Sequence, residues 1–326
     1  MNNLFLSCDW GTSTLRLRLL DVNSDKIHGE VITENGIAKS FESWVTSKEQ
    51  PDRLKFFQSF LVQAIAQLES ECGLSCQGYT LIISGMASSS IGMMELPYAK
   101  LPVMLNEQVL SRRFFPADNA FPYDTLLISG ISSQDDVMRG EETELLGLVS
   151  GIRYKFEEGV YIFPGTHSKH IVIKNKEVVG FHTFMTGELF NLLISRSTLQ
   201  ASVKKSGKFS QQYEDAFIKG VNMSQKQNFL TGLFKTRTNQ LLGKLDEHQN
   251  FHFLSGLLIG TELSDAMDYK NIIICAGAKF SETYRLGAKV LGLLPQCHFV
   301  PAAEVALLVC EGHRKIYQNT NFKHHA

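Results

Sequence analysis

The chain opens on an apolar run, Leu4 to Cys8, cut by the polar string Asp9-Trp10-Gly11-Thr12-Ser13-Thr14. Leu15, Leu17 and Leu19 then alternate with Arg16 and Arg18, a period of two that predicts a strand. Asp21 to Asp25 reads as a turn and Lys26 to Thr33 as a third strand, so the chain starts with an antiparallel ladder. The period changes over 51–72, where Leu54, Phe57, Leu61, Ile65 and Leu68 recur every three or four residues and predict a helix. Tyr79 to Ser84 predicts a buried strand ending at Gly85-Met86, and a turn-rich stretch runs from Ser88 to Pro102. Leu126 to Gly130 predicts another strand, and Glu141 to Gly151 a helix. The ladder pattern then returns: a strand at 160–163, the string Pro164-Gly165-Thr166-His167-Ser168-Lys169, and a strand at 170–174. The turn Asn175-Lys176 leads to a further strand at 177–181. Helical patterns follow at 188–201, 211–217, 227–242 and 252–267. An apolar strand at 271–275 enters Ala276-Gly277-Ala278 and a helix through Leu291. A last helix spans 303–317, before a polar end in which Lys323-His324-His325 reads as a loose tail rather than a metal site.

The two Gly-Thr pairs, Gly11-Thr12 and Gly165-Thr166, lie 154 residues apart, close to half of the 326-residue chain. One such pair is an ordinary hairpin; two in matching ladders predict duplicated halves facing one another. The expected division is residues 1–122 and 123–326, with the helix at 303–317 open to packing back on the first half. Composition adds exclusions. The 44% hydrophobic content supports a sizeable core and excludes wholesale disorder. Thirty-two basic and 33 acidic side chains leave a charge of −1, which argues against nucleic acid as a partner. Six sparse cysteines, with only Cys72 and Cys76 close, read as reduced, packed thiols. With no basic leader and no 18-residue apolar stretch, the expectation is a cytoplasmic protein without a membrane partner. The oligomeric state stays open, a homodimer included.

A glycine turn between strands leaves backbone N–H groups free to converge on an anion. Thr12, Ser13, Thr14, Thr166 and Ser168 add hydroxyl donors. Two such turns, one from each half, suit a polyphosphate gripped from opposite sides. Asp9, at the strand end before the first turn, is placed to hold Mg²⁺ through waters.

Three strings, Asp9-Trp10-Gly11-Thr12, Gly165 to Lys169 and Ala276-Gly277-Ala278, resemble the phosphate and adenosine motifs of the acetate and sugar kinase/actin superfamily. Longer strings resemble the 2-dehydro-3-deoxygalactonokinase family. They are Asp136 to Thr143, Pro164 to Lys169, Met185 to Phe190 and Ser255 to Gly260, within a likeness running from about residue 4 to 315. The resemblance implies an α/β fold of two ribonuclease-H-like (actin-like ATPase) domains. Each would be a mixed sheet flanked by helices, with ATP and substrate in an interdomain cleft. It implies phosphorylation of the 6-hydroxyl of 2-dehydro-3-deoxy-D-galactonate, in galactonate catabolism, with ATP and Mg²⁺.

Site roles follow from the resemblance residue by residue. Gly11, Thr12, Ser13, Thr14, Gly165, Thr166, His167, Ser168 and Lys169 would hold phosphates, with Asp9 on the metal. Gly256, Gly260 and Gly277 would let adenine and ribose approach backbone, although a helix glycine can equally serve packing. Arg16, Met86, Ser90, Glu95, Tyr98 and Glu188 are the expected sugar-acid residues, Glu188 with helix capping as the alternative. Relatives commonly carry Gly-Ser-Arg-Gln-Gly-Trp where this chain reads Ser88 to Met93, so Ser90 replaces an arginine suited to a carboxylate. The base for the attacking hydroxyl is one of Asp136, Glu142 and Glu141; acidic residues opening a helix also arise simply to complement its dipole. Arg139 would hold the sugar carboxylate or the phosphoryl group, or bridge to a neighbouring Glu. The rival functions are a kinase for a different small sugar acid or polyol, a non-catalytic sugar-acid sensor, and an assembling actin-like ATPase.

Overall fold

A computed structural model of the chain describes residues 3–48, 51–104, 106, 110–151, 153–206, 211–226 and 228–320. The backbone divides into two units, residues 1–155 with 307–326, and residues 156–306.

In the first unit the alternating pattern forms the ladder β1 (Leu4–Trp10), β2 (Leu15–Asp21) and β3 (Ile27–Thr33), all antiparallel neighbours. Two helices follow, α1 (Ile37–Val45) and α2 (Arg53–Cys72). The Asp52 carboxylate accepts from the Lys55 N–H at the start of α2, and Gly73, at φ 69°, ends it in the left-handed turn that suits glycine. The stripe Phe57, Leu61, Ala64, Ile65 and Leu68 is buried. Burying each of the larger side chains stabilises by about 1.5–3 kcal/mol. Trp10 packs on Phe57 in the same core, ring centroids 5.7 Å apart. Strand β4 (Leu81–Gly85) lies parallel to β1. The chain continues through β5 (Ala99–Lys100), β6 (Val103–Met104), β7 (Arg112–Phe115) and β8 (Thr125–Ile128). The main sheet runs β3-β2-β1-β4-β8-β7. Two short strands, β9 (Ile131–Ser132) and β10 (Val137–Met138), join β5 in a small sheet before α3 (Glu141–Ser150).

The second unit repeats the plan. Strands β11 (Glu158–Phe163), β12 (Ser168–Lys174) and β13 (Glu177–Phe184) form an antiparallel ladder. Helices α4 (Thr186–Arg196), α5 (Gln211–Lys226), α6 (Phe229–Leu241) and α7 (Glu247–Leu263) follow. Then come β14 (Ile272–Ile274), α8 (Ser281–Val290), β15 (Cys297–Phe299) and the short α9 (Ala302–Val305). Within the unit the strands run β15-β14-β11-β12-β13. Both sheets thus place an antiparallel ladder of three beside parallel strands, the ribonuclease-H-like arrangement. The likeness reaches the register: a ladder irregularity falls between Leu19 and Leu20 in β2, and between Val172 and Ile173 in β12.

The boundary expected after residue 122 lies elsewhere. Residues 123–155 stay with the first unit, because β8 pairs with β4 and α3 packs against α10 (Leu308–Asn319), which also belongs there. A Cβ at Gly147 would meet the Leu308 carbonyl at 2.1 Å, and one at Gly312 the Thr143 carbonyl at 2.2 Å. The two helices therefore touch backbone to backbone. Among the described residues no helix is long and apolar enough to cross a membrane. None of the six cysteines forms a disulfide, and the tail with Lys323-His324-His325 lies outside the described residues.

Candidate active site

The first turn closes on itself through Gly11 N–H donating to the Thr14 carbonyl at 2.9 Å. The opening N–H groups of α1 complete it: Ile37 donates to Gly11 O at 3.0 Å and Ala38 to Thr12 O at 3.1 Å. A Cβ on Gly36 would stand 2.2 Å from the Ser13 carbonyl carbon, so only glycine lets the helix dock here. Thr12, Ser13 and Thr14 remain exposed. Asp9 faces Arg16 across the ladder, its Oδ2 3.9 Å from the guanidinium, and Arg16 also lies 3.8 Å from Glu30. Burial pushes the Asp9 carboxyl upward, against the opposing pull of Arg16 and Arg18.

Two glycines outside the expected set shape the surroundings of Asp9. Gly85 ends β4 at φ 84°, and a Cβ there would lie 2.8 Å from the Trp10 carbonyl and 3.5 Å from Asp9 Oδ1. Gly140, at φ 118°, comes within 3.6 Å of the Gly85 Cα by the same construction. Glycine at both positions thus lets the start of α3 approach the end of β4 beside Asp9. Glu144, also unforeseen, is held well above the usual carboxylate range by burial and by Glu141, Asp9 and Glu142.

Of the three candidate bases, Glu142 is fully buried, and both its oxygens accept from the Gly140 N–H, at 2.9 and 2.8 Å. Burial and then Glu141 raise its pKa to about 8. Glu141 accepts from the Arg139 N–H at 3.1 Å. Asp136 is half-buried on its loop and accepts from the Val137 N–H at 2.7 Å. The Arg139 side chain turns to the loop at Ser88. Its guanidinium donates to the Ser88 carbonyl and hydroxyl, each at 2.6 Å, and stacks 4.1 Å over the Tyr98 ring. Arg53 grips the same loop from another side, donating to Ser90 O at 2.6 Å and Gly92 O at 2.7 Å. Two arginines therefore pin the segment carrying Met86, Ser90, Glu95 and Tyr98; Ser90 and Glu95 are exposed, Met86 and Tyr98 half-buried.

The second turn repeats the first. Glu188 N–H of α4 donates to Thr166 O at 3.0 Å, and a Cβ on Gly187 would stand 2.5 Å from Gly165 O. Gly187 thus plays in this unit the part of Gly36. Gly165, Thr166 and Gly187 line a cavity of about 460 Å³, closed further by Phe190, His252, Ser255 and the start of α8 at Lys279–Tyr284. That volume suits a nucleotide-sized ligand. The exposed His167 and Glu188 side chains pair with each other at its edge.

Four expected ligand residues turn away from that role. Ser168 is fully buried and donates to Glu262 Oε1 at 2.6 Å, while the buried Lys169 donates to Thr183. Both faces of the strand are interior at these positions, so neither offers its polar group to an anion on the open side. A Cβ on Gly256 would meet Phe217 O at 2.1 Å, and one on Gly260 the Val221 Cα at 3.0 Å. These glycines serve the contact between α5 and α7. Gly277 has open space around its Cα, and its carbonyl accepts from Phe280 and Ser281 at the start of α8. Among the described residues no group of three His, Cys, Asp or Glu side chains converges as an all-protein metal site would.

Comparison with known proteins agrees with the motifs. Residues 9–309 match the family model of 2-keto-3-deoxy-galactonokinase. The chain is 31% identical over 219 residues to 2-dehydro-3-deoxygalactonokinase of Escherichia coli (strain K12), covering 65% of this chain and 71% of that one. It is 30% identical over 269 residues to the Rhizobium meliloti (strain 1021) protein named "Probable 2-dehydro-3-deoxygalactonokinase DgoK1", covering 81% and 80%. A crystal structure of a Sinorhizobium meliloti protein bearing the same kinase designation superposes with a TM-score of 0.78 at 26% identity, covering 97% and 98% of the two chains. The chain belongs to the 2-keto-3-deoxy-galactonokinase family and is a sugar-acid kinase.

Proposed function

We propose that the protein transfers the γ-phosphoryl group of ATP to the 6-hydroxyl of 2-dehydro-3-deoxy-D-galactonate. The observation that carries the nucleotide assignment is the repeated turn. Each unit presents an open Gly-Thr turn braced by a helix through a glycine, and the second adjoins a cavity of nucleotide size. The cavity would take the nucleoside, with the second turn on the phosphates. Asp9 fits Mg²⁺ as a single carboxylate beside an open turn, the remaining ligands coming from phosphate oxygens and water. When bound, the ion supplies neutralisation of charge on the transferring group.

The sugar acid is assigned to the first unit, beside the segment held by Arg53 and Arg139. Asp136 is assigned as the base, because it is partly accessible whereas Glu142 is sealed inside the start of α3. Its role is to orient the attacking hydroxyl and take its proton, a modest demand in a reaction governed by positioning and charge. A coupled ADP-release assay over 2-keto-3-deoxy acids, hexonates and hexuronates tests the reading. Turnover should require 2-dehydro-3-deoxy-D-galactonate and Mg²⁺, with the product's phosphate on O6 by NMR. Folded protein that turns over none of these acids sinks the assignment; ADP release without any sugar favours an ATPase instead.

A further inference from the structure

Beneath the second turn lies a carboxylate that neither the motifs nor the comparisons single out. Glu262, on the last turn of α7, is 1% exposed. Four side chains from three elements converge on its two oxygens. Ser168, at the start of β12, donates to Oε1 at 2.6 Å. Tyr284 of α8 donates to both oxygens at 2.9 Å. Thr186, the first residue of α4, donates to Oε2. His170 of β12 places Nε2 3.2 Å from Oε1, and its Nδ1 lies 3.4 Å from Asp265 Oδ2. Burial alone would lower the His170 pKa, but Asp265 and Glu262 outweigh it and hold it above the ordinary value.

A carboxylate offers about four acceptor sites, and here hydroxyl and imidazole donors occupy them. Such a hub is far more than core packing requires, because burying a carboxylate is costly unless its partners compensate. The compensation is spent on one place. Thr186 and Tyr284 line the 460 Å³ cavity, and Ser168 ends the turn that forms its floor. Pulled to one point, these donors fix three walls relative to one another: the second turn, the start of α4 and the start of α8. The 1% exposure keeps Glu262 itself from touching a ligand in the cavity.

We propose that Glu262 is a positioning residue for the nucleotide, holding the second phosphate turn and the two cavity-lining helix starts in binding geometry through Ser168, Thr186 and Tyr284. The inference rests on the nucleotide reading of this cavity. Glu262→Gln keeps the shape but replaces one acceptor oxygen by a donor, so the hydroxyls must reorganise. Ser168→Ala removes one donor that is itself sealed from the cavity.

The test is direct nucleotide titration by calorimetry on the full chain, with sugar-acid KM as a control. Glu262→Gln should weaken ATP and ADP binding about tenfold and leave the sugar-acid KM within about twofold. Ser168→Ala should weaken nucleotide binding in the same direction, and the double variant should be no weaker than Glu262→Gln alone, since both act on one contact. Wild-type nucleotide affinity in a folded Glu262→Gln protein overturns the proposal, as does multiplication of the two effects. If Glu262→Gln fails to melt cooperatively, Ser168→Ala decides alone: weakened binding sustains the proposal and wild-type affinity overturns it. A wild-type chain that binds no nucleotide overturns the underlying reading instead, and shows it in the first titration.

Discussion

Asp9 combines a functional position with an electrostatic cost, since burial raises its pKa while the open turn beside it needs its charge. Asp9→Asn should therefore cut kcat/KM by at least about a hundredfold while the melting temperature holds or rises. A collapse of the melting temperature would make the residue structural. Two fully buried groups give stability trends of opposite sign with pH. His313, sealed in the first unit with its Nδ1 2.7 Å from the Ser7 hydroxyl, is lowered to about 3 by burial. Its unfolded counterpart binds a proton near pH 6.5, so stability is lost as pH falls from there toward 3, at about 1.4 kcal/mol per unit. His313→Asn keeps an acceptor for Ser7 and should lose less than wild type over that window in urea unfolding. Glu142, raised to about 8, works the other way: its contribution is present below pH 4.5 and lost as pH rises through 8. Glu142→Gln should gain on wild type steadily between those values. Parallel curves for either variant and wild type would refute the corresponding burial argument.

At the scale of elements, the paired ladders were legible because strand alternation and a Gly-Thr turn are local signals. Helix α2 was legible for the same reason, its predicted Phe57, Leu61, Ile65 and Leu68 stripe being the buried face. Helix α1 was not, since Ile37 to Val45 is a short stretch whose docking depends on the distant turn it braces. Ser168 and Lys169 misled because they read as part of the polar turn, whereas they already belong to β12, where residues 168–170 are all interior. Glu262 was invisible: inside an apolar helix a lone Glu reads as surface, and its partners come from 22 to 94 residues away. The loop from Met86 to Tyr98 shows the same dependence on distant groups, being held by Arg53 and Arg139. A lysine cannot reproduce two directed guanidinium bonds plus ring stacking. Arg139→Lys and Arg53→Lys should each raise the sugar-acid KM severalfold with little change in the ATP KM. An effect on ATP instead would place this loop at the nucleotide.

For the whole molecule, the duplication was readable as a spacing of 154 residues and the last helix as open to packing back, but the boundary was not, because β8 joins the first sheet through pairing with the distant β4. Helix α10 follows the second unit in sequence yet belongs to the first. Its contacts there are numerous and specific: His313 to Ser7, the Arg18 guanidinium 3.0 Å from Cys310 Sγ, and Tyr317 stacked on Phe5 with centroids 4.9 Å apart. Gly147 and Gly312 add the backbone contact between α3 and α10. Removing residues 307–326 would strip a buried helix from β1, the strand that presents Asp9. Exposing Phe5 and the α3 face costs several buried apolar side chains, about 1.5–3 kcal/mol each, against a typical total of about 5–15 kcal/mol. The chain ending at residue 306 should thus lose sugar phosphorylation and gain protease cleavage within residues 1–155, read by mass spectrometry of the fragments. Cleavage within residues 156–306 should be much less affected, since that unit keeps its own core around Ile162, Phe217 and Tyr284. Equal sensitivity of both segments would mean that the units share one cooperative fold, and that α10 stabilises the molecule as a whole rather than the first unit.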